Sequence, residues 1–139
     1  MKILIIDGQG GKIGKMLVEK IRQSYPNLPL TALGTNSIAT TTMLRAGAEE
    51  GATGENPVVF NAKDADIIIG PMGIVLANSL LGEITPAMAA AVAQSHAQKI
   101  LIPMNRCKSI VAGVQDAPLA EYIRIAVEQL ATFIPSEEK

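Results

Sequence analysis

The chain has 139 residues, of which 48% are apolar and only 18% are charged, so we expect one globular domain and not a disordered chain. Its 12 basic and 13 acidic residues leave a formal net charge of −1. This balance argues against nucleic acid as the main partner, because phosphate backbones need clustered Lys and Arg.

The expected compartment follows from three features. No apolar run is long enough to span a membrane, and the chain starts on a strand-like run at residues 3–6 without the regions of a signal peptide. The single cysteine, Cys107, excludes an internal disulfide and a thiolate-rich metal site. We therefore expect a cytoplasmic protein without a metal. The high apolar fraction also favours a homodimer or higher homo-oligomer, because another subunit can cover apolar surface.

Short apolar runs alternate with segments of helical spacing. The runs predict strands at residues 3–6, 30–33, 58–60, 67–69, 100–102 and 109–114. The spacing predicts helices over residues 13–24, 37–46, 74–81, 86–98 and 118–130. Residues with capping or helix-breaking chemistry stand at helix ends: Pro26, Asn36 or Ser37, Gly47, Thr85 with Pro86, and Pro118.

This alternation predicts a Rossmann-like α/β fold, a doubly wound and mostly parallel sheet with helices on both faces. We assign residues 1–134 to this single domain and residues 135–139 to a frayed tail. With strand order 3-2-1-4-5, the turns after the first and fourth strands would face each other across one crevice. Sheets of this kind bind ligands there.

The turn after the first strand has four glycines in seven residues. It reads Gly8, Gln9, Gly10, Gly11, Lys12, Ile13, Gly14. A glycine turn between a buried strand and an amphipathic helix is typical of dinucleotide binding, because glycine lets a phosphate approach the unpaired N–H groups of the helix. The spacing is offset from G-x-G-x-x-G, with Gln9 in place of the first glycine. A tight turn without a ligand is the alternative.

A P-loop is the rival motif, since Lys15 follows Gly14. In a P-loop a hydroxyl residue after the lysine binds Mg²⁺, and here that position is Met16. Gln9 again replaces the first glycine of that motif, so a P-loop nucleotidase is not expected.

A second dinucleotide signal would be a carboxylate about 20 residues further on, after the second strand. That position holds Gly34, Thr35, Asn36 and Ser37. These small polar residues can contact a 2′-phosphate instead of a ribose hydroxyl, with Arg45 nearby, which favours NADP slightly over NAD. The alternative is that Asn36 or Ser37 only caps the next helix.

The turn after the fourth strand is the expected opposite wall of the crevice. It consists of Gly70, Pro71, Met72 and Gly73, and the alternative is a turn needed only for packing.

Polar residues also follow the fifth strand. Asn105 can orient a ligand and Arg106 can meet a phosphate at the same edge. Cys107 would be a nucleophile only beside an activating group, and the one histidine, His96, lies on the preceding helix. We therefore interpret Cys107 as a small, partly buried thiol and His96 as a surface residue. Asp7, at the end of the first strand, is expected to accept N–H bonds from the glycine turn.

Several runs resemble one family across nearly the whole chain. They are residues 6–11 (IDGQGG), 33–36 (LGTN), 38–40 (IAT), 51–56 (GATGEN), 65–71 (ADIIIGP) and 81–86 (LGEITP). They resemble a set of small bacterial proteins, domain of unknown function family 3842, and this resemblance implies no activity or substrate. The first quarter of the chain separately resembles a Rossmann-type NAD(P)-binding domain.

Three hypotheses about function follow. The first is a nucleotide-binding module, regulatory in character, with NADP or NAD as its cofactor. The second is a small NAD(P)-dependent oxidoreductase whose site a dimer partner completes, although no acid–base residue supports it. The third is a ligand-free oligomeric scaffold, in which the alanine-rich helix at residues 86–98 packs between subunits. Ordinary packing of that helix against the sheet is the alternative.

Overall fold

A computed structural model describes residues 1–103 and 108–139 of the chain. Within these residues, five parallel strands form one sheet in the order β3-β2-β1-β4-β5. The strands are β1 (Ile3–Asp7), β2 (Thr31–Gly34), β3 (Glu50–Thr53), β4 (Ile67–Pro71) and β5 (Gln98–Ile102). The predicted doubly wound α/β fold is therefore confirmed, and the strand order considered from the sequence holds with Glu50–Thr53, instead of residues 58–60, as the third strand.

Helices connect the strands. They are α1 (Lys12–Ser24), α2 (Ser37–Ala46), α3 (Glu55–Ala62), α4 (Pro86–Gln94) and α5 (Leu119–Ala131), with short 3-10 turns at Met72–Val75 and Ser136–Glu138. In the described part of the chain, no helix has both the length and the apolar character that crossing a membrane requires.

The sheet is covered by an apolar layer on each face. Successive side chains of a strand point to opposite faces, so Ile3 and Ile5 of β1 pack in a cluster with α1 and α5, while Leu4 and Ile6 pack in a second cluster with α3 and α4. Every residue of β1 and β4 is buried. Continuous apolar runs such as that of β1 are what a central parallel strand needs.

The predicted capping residues lie where the sequence places them. The side chain of Asn36 accepts a hydrogen bond from the N–H of Ala39 at 2.9 Å, and Thr85 Oγ1 accepts one from the N–H of Met88 at 3.1 Å. Gly47 ends α2 with a φ of 129°, which suits a residue without a side chain. Each cap satisfies N–H or C=O groups that a helix end leaves unpaired.

Three element predictions were wrong. Residues 58–60 belong to helix α3, where Val58 is buried and Phe60 is 65% exposed. The third strand is β3 instead, an edge strand whose residues are partly or fully exposed. Residues 109–114 contain no strand. The helix predicted over residues 74–81 is the 3-10 turn Met72–Val75 followed by irregular turns.

Gly14 brings helix α1 close to its neighbours. A Cβ atom at this position would lie 2.8 Å from Met43 Cγ on α2 and 3.1 Å from Asp7 Cβ on β1. Gly10 lies in the same turn, but a Cβ there would meet nothing within 4 Å. The two glycines therefore differ in how much space surrounds them.

We expect Gly14→Ala to lower the free energy of unfolding by about 1–3 kcal/mol, because a methyl group must be forced into a filled site. Gly10→Ala is the matched control and should change it by less than about 0.5 kcal/mol. Chemical denaturation of both variants measures these values. Equal effects of the two substitutions would contradict the close approach at Gly14.

Candidate functional site

The glycine turn is built on the buried carboxylate of Asp7. Asp7 Oδ1 accepts the N–H of Gly8 at 2.8 Å, and Oδ2 accepts the N–H of Gly14 at 2.7 Å, which confirms the expected structural role of Asp7. Gln9 and Gly11 have positive φ angles of 49° and 76°. These angles and the Gly11 N–H bond to Gly8 O at 2.9 Å turn the chain sharply from β1 into α1.

Burial raises the pKa of Asp7 above its ordinary value, because desolvation disfavours the charged carboxylate. The N–H groups of Gly14, Gly8 and Ile13 act in the opposite direction, and the nearby charge of Glu83 adds to the increase. Three turn N–H groups are thus directed inward at Asp7.

Other donors of the turn stay open. Within the described residues, the N–H groups of Gly10 and Lys12 and the Lys12 ammonium have no hydrogen-bond or ion-pair partner. Lys12 is the first residue of α1, where the helix dipole favours an anion. This combination of open N–H groups and a cation suits a phosphate.

A cavity of about 430 Å³ lies against this turn. Its wall combines most of the turn with residues of four other segments, and the residues outside the turn are Asp7, Pro71, Gly73, Leu80, Leu81 and Leu119. The structure therefore places the turns after β1 and β4 on one cavity. One side of the cavity presents backbone donors and the other side is apolar.

Not every residue predicted for the opposite wall lines this cavity. Gly70 is a packing position, since a Cβ there would collide with the carbonyl oxygen of Ile6. Met72 lines a second cavity of about 780 Å³, which also involves Lys108 and Tyr122. Lys12 and Leu119 line both cavities, so the two spaces adjoin.

Glu83 is the residue that sequence reasoning missed. Its Oε1 accepts the N–H of Gln9 at 2.9 Å, the hydroxyl of Thr35 at 2.5 Å and Nδ2 of Asn36 at 2.8 Å. Nδ2 of Asn36 also donates to the carbonyl of Gln9 at 2.9 Å. The only sequence signal was its place in the run LGEITP, directly before the cap Thr85.

The contacts of Glu83 remove support for the 2′-phosphate interpretation. Thr35 and Asn36, the donors expected to face a phosphate, already face a carboxylate. Arg45 lies in the last turn of α2, at the far end of the helix that Asn36 caps, and Ser37 is exposed. The slight preference for NADP therefore has no basis in this geometry, because Arg45 is not beside the expected ribose.

Partial burial alone would raise the pKa of Glu83, but the hydrogen bonds from Thr35, the Gln9 N–H and Asn36 together outweigh it. The pKa of Glu83 consequently lies below its ordinary value of 4.5. A carboxylate that accepts several donors remains charged at lower pH than a free one.

Glu83 belongs to a strained segment, residues 76–84, which we name the covering segment. Asn78, Leu80 and Leu81 have φ angles of 64°, 55° and 57°, which non-glycine residues seldom adopt. Ser79 is buried and its hydroxyl donates to the carbonyl of Gly73. Such a backbone persists only where surrounding contacts hold it, and Ser79 and Glu83 supply two of them.

The residues after β5 that the sequence analysis singled out, Asn105, Arg106 and Cys107, lie outside the described residues. His96 is exposed and lies between the end of α4 at Gln94 and the start of β5, not on the helix as predicted. It therefore lies toward the sheet edge opposite the glycine turn. The surface location expected for His96 is confirmed.

We expect Glu83→Gln to lower the free energy of unfolding at pH 7 more than at pH 3. A depressed pKa stabilises the fold above pH 4.5, and this contribution is lost as the pH falls through the folded pKa. Glu19→Gln is the control, because Glu19 is exposed on α1 with a loose 3.9 Å contact to Lys15. Denaturation curves of the three proteins at both pH values measure the difference. If Glu83→Gln lowers the free energy of unfolding by the same amount at both pH values, the depressed pKa assigned to Glu83 is contradicted.

Comparison with known proteins identified a family and likenesses to solved structures. No curated protein matches the chain. The structure is similar to a dodecameric FMN-dependent Ubix-like decarboxylase from Escherichia coli O157:H7, with 16% identity and a TM-score of 0.46 over 94% of this chain and 77% of that one. A family model described as Domain of unknown function (DUF3842) matches residues 2–135. The chain therefore belongs to that family, as its sequence runs predicted.

Proposed function

We propose that this chain is a nucleotide-binding module that holds a phosphate group at the turn of residues 8–14. The observation that carries the proposal is the pair of open N–H groups on Gly10 and Lys12, two residues that line a cavity of about 430 Å³. Doubly wound sheets bind ligands at the carboxyl ends of the strands where the strand order reverses. Here that point lies between β1 and β4.

The cavity has a suitable wall for the remainder of a nucleotide. Leu80, Leu81, Leu119 and Pro71 supply apolar surface opposite the turn. Ligand sites typically combine such surface with a few convergent polar groups. NADP and NAD, the cofactors expected from the sequence, belong to this ligand class.

A binding role fits the site better than catalysis. Among the described residues that line the first cavity, Asp7 and Lys12 are the titratable side chains. Asp7 is buried and each of its oxygens accepts a backbone N–H group of the turn, which supports a structural role for Asp7. Lys12 is exposed at the helix start, where it can neutralise a phosphate.

The proposal is tested by thermal unfolding with NAD, NADP, ATP, GTP, AMP, NMN and FMN. A ligand that binds only the folded state raises the unfolding midpoint. At least one of these nucleotides should raise it in a saturable manner. If none raises it and calorimetry detects no binding, the proposal fails.

We expect Gly10→Val to remain folded and to bind the active nucleotide at least about tenfold more weakly, because its side chain blocks the approach of a phosphate. The space around a Cβ at Gly10 is open, so the fold should tolerate the change. Ala90→Val is the control, since Ala90 is exposed on α4. Titration calorimetry compares the two variants, and unchanged binding by a folded Gly10→Val protein would rule out the turn as the phosphate site.

We expect Lys12→Ala to weaken nucleotide binding about 3-fold to 30-fold, because one charge-assisted contact to the phosphate is lost. Lys15→Ala is the matched control, since Lys15 is also exposed on the same helix but lines neither cavity. The effect of Lys12→Ala should also decrease as salt is raised. Equal losses of nucleotide affinity in Lys12→Ala and Lys15→Ala would show that binding depends on the overall positive charge and not on a contact made by Lys12.

A further inference from the structure

The crevice is open on one side of the glycine turn and closed on the other. On the β4 side the cavity reaches Pro71, Gly73 and Leu119. On the β2 side the covering segment crosses the turn, and a Cβ added at Gly8 would lie 2.8 Å from Leu80 Cδ1 and 3.1 Å from Glu83 Oε1.

A dinucleotide on this kind of sheet needs both sides. Its two phosphates lie at the glycine turn, one sugar lies over the end of the second strand, and the other half extends over the fourth strand. Here the end of β2 is followed by Thr35 and Asn36, and both contact Glu83. Neither residue is among those that line the cavity.

We propose that this chain binds a mononucleotide, with one ring, one sugar and one phosphate group, and that the covering segment excludes dinucleotides. This inference rests on the proposed function. The ring and sugar lie on the β4 side, against Leu119 and Pro71, and the half that a dinucleotide would place over β2 meets Leu80 and Glu83.

Glu83 determines this specificity in two ways. Its carboxylate joins the covering segment to the glycine turn through the Gln9 N–H and to the β2–α2 loop through Thr35 and Asn36. It also places a negative charge beside Gln9, which opposes a second phosphate at this end of the turn.

The test compares two dinucleotides with their halves: NAD with AMP and NMN, and FAD with FMN and AMP. Calorimetry on the complete chain should find at least one mononucleotide whose dissociation constant is about tenfold or more below that of its parent dinucleotide. Glu83→Ala should reduce the ratio of the dinucleotide dissociation constant to the mononucleotide dissociation constant about tenfold, because the dinucleotide then gains access to the β2 side. Glu19→Ala is the control and should preserve the ratio.

The possible failures are distinguishable. If no nucleotide binds at all, the proposed function fails and this inference fails with it. If NAD or FAD binds as tightly as the better of its halves, the inference fails while the proposed function stands. If the ratio of the two dissociation constants is unchanged in Glu83→Ala, Glu83 does not determine the specificity. The ratio in the unsubstituted chain decides between mononucleotide and dinucleotide even if Glu83→Ala does not fold.

Discussion

The contact between the Asp7 carboxylate and the glycine turn is the interaction on which the rest of the site depends. A buried carboxylate is costly unless donors compensate for its lost water. Here the N–H groups of Gly8 and Gly14 compensate in part, at 2.8 and 2.7 Å. Because those donors point inward, the ones that remain open, on Gly10 and Lys12, lie at the cavity. The raised pKa of Asp7 shows that burial exceeds this compensation, so ionisation of Asp7 opposes folding as the pH rises through its folded pKa.

A second carboxylate, that of Glu83, divides the space above the turn. It comes from a segment distant in sequence, yet it accepts donors from both the glycine turn and the β2–α2 loop. The strained backbone at Leu80 and Leu81 is held in this way over Gly8. Asp7 therefore holds the turn from the side of the sheet, while Glu83 fixes the covering segment to the turn and to the β2–α2 loop.

The errors in the strand predictions have a common cause. Val58, Val59 and Phe60 form a short apolar run, but such a run does not distinguish a strand from one face of a helix. Phe60 is 65% exposed, which the run alone does not reveal. Strand β3 contains Gly51 and polar residues at a sheet edge, where partial exposure removes the apolar pattern that marks a buried strand.

The sequence by itself determined the α/β class, the cap at Thr85 and the role of Asp7, and it narrowed the cap of the second helix to Asn36 or Ser37. These features depend on local periodicity, on capping chemistry and on general rules for parallel sheets. Only the tertiary structure decided that Glu83 meets Thr35 and Asn36, which are 48 and 47 residues away. A contact between distant loops has no periodic signal, because it depends on how the covering segment crosses the sheet. For the same reason, the division of the crevice into an open and a closed side could not be predicted from the glycine turn alone.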